Sequence, residues 1–334
     1  MPHPRKRLTL MLLGDVMLGR AVNETLYNAP PAYPWGNTRP PLHKANWRVA
    51  NLECVFSDRP LPGGLPPKVF RFRSDSKNLA VLQAAGINAV SLANNHILDY
   101  GPAALADTLE LLDAAGIGHA GAGRTFAQAS ALVVHPVGNL RIGLLAFTDN
   151  EPTWAATPHR PGVWYIPLDP ADPRARQLFS RIMRAKKQEV DFLIVAAHWG
   201  SNWGYRPAPE LVTFGHALID AGADVVFGHS CHVCRGVERY RQRPLLYSTG
   251  DFIDDYQVDA RERNDETFLF ELELQDRRWQ RLHPVLSADC RARMAAPASA
   301  RAMAARMQRL CAAWATPACW KAAQRTLEIA LPRS

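Results

Sequence analysis

Five apolar runs in this chain each end on side chains of metal-ligand type. The run 8–13 leads into Gly14-Asp15, 48–52 into Glu53, and 89–92 into Asn94-Asn95-His96. The run 192–197 leads into His198, and 224–227 into Gly228-His229-Ser230-Cys231-His232. A single polar residue after a strand is usually a satisfied structural group, but this series combines carboxylate, amide and imidazole donors from separate strands. A hydrolytic site needs such donors to fix two divalent cations a few ångströms apart. In open α/β sheets, ligands gather where the strands end at their carboxyl edge.

The elements that must position these residues are legible over most of the 334 residues. Helical patterns at 77–85, 103–115, 173–187 and 209–221 alternate with the apolar runs, to which 131–136 and 141–147 also belong. Three of the helices are followed by glycine, at Gly86, Gly116 and Gly222, as helix C-termini favour. Alternating strand and helix predict a largely parallel, buried sheet. After Gly228 the runs 236–240, 245–248, 267–274 and 279–286 lie close together, which predicts antiparallel strands. The proline-rich stretches 30–41 and 59–67 are long enough to serve as lids or substrate-facing loops.

Six cysteines are too sparse for a disulfide framework at this length and read as reduced thiols. Cys231 and Cys234 interleave with His229 and His232 in a spacing that suits core thiols better than structural zinc. The basic flank 1–7 is that of a secretory signal, but the run after it is short and enters Gly14-Asp15 without a cleavage site, so it reads as a first strand. No window approaches the ~18 apolar residues of a membrane span. The expectation is a soluble, cytoplasmic protein.

The net charge of +8 invites a nucleic-acid reading. It is confined to residues 276–334, where 11 basic residues face 3 acidic ones, while residues 1–275 are neutral. No stacked aromatic–basic motif accompanies it, so specific nucleic-acid binding is not expected. Met303, Met307, Leu310, Cys311 and Trp314 form one apolar helical face, with Arg301, Arg306 and Arg309 opposite. A second helix is expected over 318–330 after the break at Thr316-Pro317.

The chain resembles the CapA-like poly-γ-glutamate capsule-biosynthesis family within the calcineurin-like metallophosphatase superfamily. The resemblance rests on Gly14-Asp15-Val16-Met17-Leu18-Gly19-Arg20, Asn51-Leu52-Glu53, Ala93-Asn94-Asn95-His96-Ile97-Leu98-Asp99-Tyr100-Gly101, Gly121-Ala122-Gly123, His198-Trp199-Gly200, Ala221-Gly222-Ala223-Asp224 and Gly228-His229-Ser230-Cys231-His232-Val233, in that order. It implies an α/β fold, a four-layer α/β/β/α metallophosphatase-like sandwich, assigned to residues 1–288; the remaining 289–334 read, from their charge and helical spacing, as a basic helical C-terminal appendage. It implies Asp15, Glu53, Asn95, His198, His229 and His232 as ligands of two divalent metal ions, of manganese, iron or zinc. His96 follows as the acid/base residue that protonates a leaving group. Asp99 either orients His96 or caps the helix after Gly101.

Two departures from the superfamily pattern stand out. Met17 occupies the position of a usual histidine, and Glu53 that of a usual aspartate. Asp251 stands where many relatives have asparagine and joins Arg20 as a substrate-binding candidate, either adding a carboxylate near the metals or orienting a histidine. Arg20 is a candidate for gripping an anionic substrate oxygen, with a surface salt bridge as the alternative. The expected activity is hydrolysis of a phosphoester or a γ-glutamyl-type amide, on an anionic small-molecule or polymer substrate. The alternative is a non-hydrolytic binding or assembly component of anionic-polymer synthesis. A membrane-bound capsule-synthesis partner is a further expectation.

Overall fold

The computed structural model describes residues 8–274 and 279–330. The basic flank 1–7 and three of the tail's arginines, Arg277, Arg278 and Arg333, lie outside them. Among the described residues, strands of period two build two main sheets whose faces are both covered, beside two small sheets of two strands each. In the strand Thr9–Val16, Leu10 and Leu12 point into one core, while Met11 and Leu13 point into another. In the strand Phe192–His198, Ile194 and Ala196 join Leu10 and Leu12, whereas Leu193, Val195 and Ala197 face away. The core shared by both strands therefore lies between the sheets.

The two outer cores are closed by helices. Val81, Leu82, Leu105, Leu109 and Leu112, from Leu79–Ala85 and Gly101–Ala114, cover the larger sheet. Leu178, Ile182, Leu211, Phe214 and Leu218, from Pro173–Arg184 and Pro209–Asp220, cover the smaller one. The result is the expected α/β/β/α layering, with each fully buried Leu or Phe contributing roughly 1.5–3 kcal/mol of burial free energy.

The larger sheet has ten strands among the described residues. Its parallel half runs Thr9–Val16, Trp47–Leu52, Ala89–Ser91, Gly118–Ala120. Its antiparallel half begins with Glu266–Glu273 beside Thr9–Val16 and continues through Trp279–Ala288. The smaller sheet centres on the parallel strands Leu140–Thr148, Phe192–His198 and Val225–His229. Two glycines permit close chain crossings at the strand ends. A Cβ on Gly14 would lie 1.9 Å from the carbonyl oxygen of Gly250, and one on Gly228 would lie 2.3 Å from that of Tyr247.

The tail departs from expectation in its second half. The first helix is present, Pro297–Ala312, and buries Ala300, Met303, Ala304, Met307 and Cys311 in the core between the sheets. Arg301 and Arg309 are exposed, but Arg306 bonds Glu266 at 2.8 Å and the hydroxyl of Tyr205 at 3.0 Å. The expected helix over 318–330 is instead a pair of strands, Ala318–Lys321 and Thr326–Ala330, added to the larger sheet. Leu327 and Ile329 are fully buried while Glu328 between them is not, an alternation of period two that outweighs the helix-favouring alanines.

Candidate metal centre

Strand register brings the polar ends level with one another. Asp15 pairs across to Asn51 on one side and Asp251 on the other. His198 pairs with His229 in the smaller sheet. Glu53 follows its strand directly, and Asn95 and His96 lie in the loop between Ala89–Ser91 and the helix Gly101–Ala114. Donor atoms of Asp15, Glu53 and His198 lie within 4.8 Å of one another, and all three residues are buried. Glu53, Asn95, His96, His198 and His232 line a cavity of about 600 Å³.

Several of these side chains leave a buried polar atom facing no protein partner. Asp15 accepts hydrogen bonds at Oδ1 from Asn51 Nδ2 and from His229 Nδ1, both at 2.9 Å, and its Oδ2 has none. Glu53 Oε2, Asn95 Oδ1, His229 Nε2 and Asp251 Oδ2 are likewise buried without a partner. His232 donates through Nδ1 to Asp251 Oδ1 at 2.9 Å. A carboxylate on Nδ1 fixes the tautomer that presents Nε2 as a ligand atom.

The electrostatics are those of a centre short of positive charge. Burial and then the Asp15 carboxylate push Glu53 well above the usual carboxyl range. Burial also raises Asp15, but the hydrogen bond and charge of His229 outweigh it and hold this carboxyl below its ordinary value. Burial lifts Asp251 to about 6, against the opposing pull of His232. It lowers His198 to about 3, which keeps the imidazole neutral and able to act as a ligand. Buried carboxylates with unpaired oxygens are costly unless a cation neutralises them. The mixture of hard oxygen donors and imidazoles suits manganese, iron or zinc.

His96 sits at the cavity wall. Its Nδ1 lies 2.6 Å from Asp99 Oδ2, its Nε2 lies 3.8 Å from Glu53 Oε1, and its ring stacks on Phe72 with centroids 3.8 Å apart. Burial lowers its pKa, against the raising effect of Asp99. No side-chain cap precedes the following helix, and Asp99 Oδ2 is instead engaged by His96 Nδ1. Arg20 lines the same cavity with its guanidinium 5.4, 5.8 and 5.9 Å from the rings of Phe70, Phe72 and Tyr256. Its Nε pairs with Asp255 at 3.2 Å, so the guanidinium both makes a salt bridge and faces the cavity. Met17 is fully buried, and its sulfur accepts the N–H of Gly19 at 3.1 Å.

Sequence reasoning missed Asn51, Lys68, Phe72, Trp203 and Tyr256. Lys68, Phe72, Trp203 and Tyr256 line the cavity, and Asn51 holds Asp15. The signal for Lys68 and Phe72 was the proline-rich loop 59–67 that precedes them. Asn51 stood within a matched segment but looked like a mere strand residue. Cys231 and Cys234 are free and buried, as core thiols should be.

Fold and site together define a four-layer α/β protein with a buried carboxylate–imidazole centre at its strand ends. The chain belongs to the bacterial capsule synthesis protein PGA_cap family, whose model matches residues 9–256. It is 36% identical to a probable polyglutamine synthesis accessory protein of Mycobacterium tuberculosis (strain H37Rv), with 75% of each chain covered. It is 30% identical to the capsule biosynthesis protein CapA of Bacillus anthracis, covering 75% of this chain and 60% of that one. Among solved structures it is similar to a phosphatase of Mycoplasma pneumoniae, at 15% identity and a TM-score of 0.46, covering 84% of this chain and 87% of that one. A purple acid phosphatase from yellow lupin seeds matches at 10% identity and a TM-score of 0.38, covering 86% and 53%. No helix among the described residues is long and apolar enough to cross a membrane.

Proposed function

We propose that this protein is a metal-dependent hydrolase of an anionic substrate, a phosphoester or a γ-glutamyl-type amide, serving the synthesis of a capsular polymer such as poly-γ-glutamate. The observation that carries this reading is the convergence of Asp15, Glu53 and His198 within 4.8 Å beside a cavity lined by His96, whose ring is paired with Asp99 behind it. Asp15, Glu53, Asn95, His198, His229 and His232 would hold two divalent ions, which would polarise the scissile group and acidify a water. Asp99 fixes the ring of His96 and supports the imidazolium form, which carries a proton at Nε2 for the leaving group. Arg20, steadied by Asp255 and three aromatic rings, offers its remaining guanidinium N–H groups to an anionic oxygen.

The test is turnover of bis(p-nitrophenyl) phosphate and of γ-glutamyl p-nitroanilide by the full chain supplied in turn with manganese, iron and zinc. Metal-dependent turnover of either compound is expected. On a substrate whose leaving group needs a proton, the anilide or an unactivated diester such as glycerophosphocholine, His96→Ala should lower kcat by roughly 10²–10⁴-fold with bound metal unchanged. Full activity in that variant would remove His96 from the mechanism.

A second reading follows from Met17. With a buried thioether bonded to Gly19 where a histidine ligand is usual, one metal position has fewer donors. The protein would then bind an anionic polymer, or a membrane-bound synthesis partner, without cleaving it. Metal retention together with polymer binding, and no turnover with any of the three metals, would favour this alternative.

A further inference from the structure

The buried carboxylate of Asp99 has two distinct sets of partners. Its Oδ2 accepts from His96 Nδ1 at 2.6 Å and from the backbone N–H of Phe72 at 2.7 Å. Its Oδ1 accepts from Lys68 Nζ at 2.6 Å. The same ammonium donates to the backbone carbonyl of Asn95, lies 3.9 Å from Glu151, and sits 4.7 Å from the centroid of the Trp154 ring. Asp99 is fully buried and the Lys68 side chain only 19% exposed, so this pair is shielded from water.

The rest of the segment reinforces the hold. Arg71 Nη1 donates to the backbone carbonyl of Asp99 at 2.7 Å, and the Phe72 ring covers His96. Between these anchors, Val69 and Phe70 line the cavity while remaining 87% and 55% exposed. One short stretch of chain therefore grips the His96–Asp99 pair at both ends.

We propose that Lys68 is a positioning residue for His96: its ammonium fixes the Asp99 carboxylate, which in turn holds the imidazole in the orientation that serves the leaving group. This rests on the hydrolytic reading above. The physical requirement is that a carboxylate buried away from water is costly unless a cation is paired with it, and Lys68 is the cation bonded to Asp99. Without Lys68, Asp99 Oδ1 would lose its cationic partner, and the carboxylate would no longer hold its Oδ2 as a fixed acceptor for His96. Lysine supplies a compact charge that also lies over the Trp154 ring, and methionine offers an unbranched side chain of similar reach without that charge.

The test compares Lys68→Met and Lys68→Arg with wild type, using the full chain with metal content measured. Two substrates are used: bis(p-nitrophenyl) phosphate, whose leaving group needs no proton, and glycerophosphocholine, whose alkoxide leaving group does. Lys68→Met should lower kcat about 100-fold on glycerophosphocholine and about threefold on the activated ester, with KM within about twofold. Lys68→Arg should recover most of the loss, and metal content should match wild type. Equal losses on both substrates, or no loss, would overturn the proposal. Should wild type turn over neither diester, that reading fails on phosphodiesters. The Lys68 claim is then decided by the downfield imidazole N–H proton resonance of the zinc-loaded chain, assigned with His96→Gln. Its loss or shift in Lys68→Met, with recovery in Lys68→Arg, supports the role; an unchanged resonance contradicts it.

Discussion

Asp15 accepts the Nδ1–H of His229 at 2.9 Å, and the two residues belong to different sheets. Asp15 comes from the larger sheet and His229 from the smaller, so the candidate metal centre is assembled where the two layers meet. The contact explains why both sheets must pack before the site exists, and why Gly14 and Gly228 allow close chain approach immediately beside it.

Replacing His229 by alanine removes both the tie on Asp15 Oδ1 and the unpartnered Nε2. Metal affinity should fall by at least 10–100-fold, the range for loss of a ligand-orienting contact, while circular dichroism stays close to wild type. Calorimetric titration with zinc measures the first quantity directly. Wild-type affinity in this variant would place the metal elsewhere.

Arg20 meets Asp255 through Nε and three aromatic rings through its guanidinium plane. Arg20→Ala should raise KM for an anionic substrate about tenfold, the loss of roughly one charge-assisted pair, with a smaller change in kcat. Arg20→Lys should restore little, because a point charge lacks the planar fork that stacks and bonds together. Steady-state kinetics of the three proteins decide the matter, and an unaltered KM in the alanine variant would confine Arg20 to its salt bridge.

Asp254 gives a stability prediction with a definite sign. Burial, and next the charge of Asp251, lift this carboxyl from 3.8 to about 8, and it accepts hydrogen bonds from Ser287 Oγ and the N–H of Tyr256. A folded-state pKa above the unfolded one contributes stability that is whole below about pH 4 and is lost as pH rises through about 8. Asp254→Asn cannot ionise and keeps acceptor and donor positions for both partners. Its stability relative to wild type should therefore grow between pH 5 and 8, by an amount on the order of 1–3 kcal/mol. Urea unfolding of metal-free protein at both pH values measures the difference, and parallel curves would show that Asp254 is not titrating in that interval.

Much of this architecture could be read from particular residues. The near-continuous apolar runs 8–13 and 192–197 read as strands buried on both faces, and the polar residues at the strand ends marked Asp15, Glu53, Asn95 and the three histidines. The reading failed where composition and pattern disagreed. Residues 318–330 contain helix-favouring alanines, yet Leu327 and Ile329 bury against the strand Trp279–Ala288 through long-range pairing that no local window contains. Lys68 was invisible for a related reason. It lies 31 residues before Asp99, and only the folded path of the loop brings ammonium and carboxylate to 2.6 Å.

The strand pair at the tail has its own consequence. Leu327→Ala should cost about 2–5 kcal/mol, as for a fully buried leucine in a shared core, and lower Tm accordingly. Thermal denaturation of the variant measures it. A change near zero would mean that the tail is a separable attachment.

The central claim is that Asp15, Glu53 and His198 form the heart of a divalent-metal centre. It is tested most directly by measuring the metal content of the full chain, wild type and Glu53→Gln, after equilibration with manganese, iron or zinc and removal of free ions. Wild type should retain divalent metal, and the glutamine variant, with the central carboxylate charge removed, should lose most of it. A wild-type chain that retains no metal under any of these conditions, or a variant that retains as much as wild type, would contradict the account.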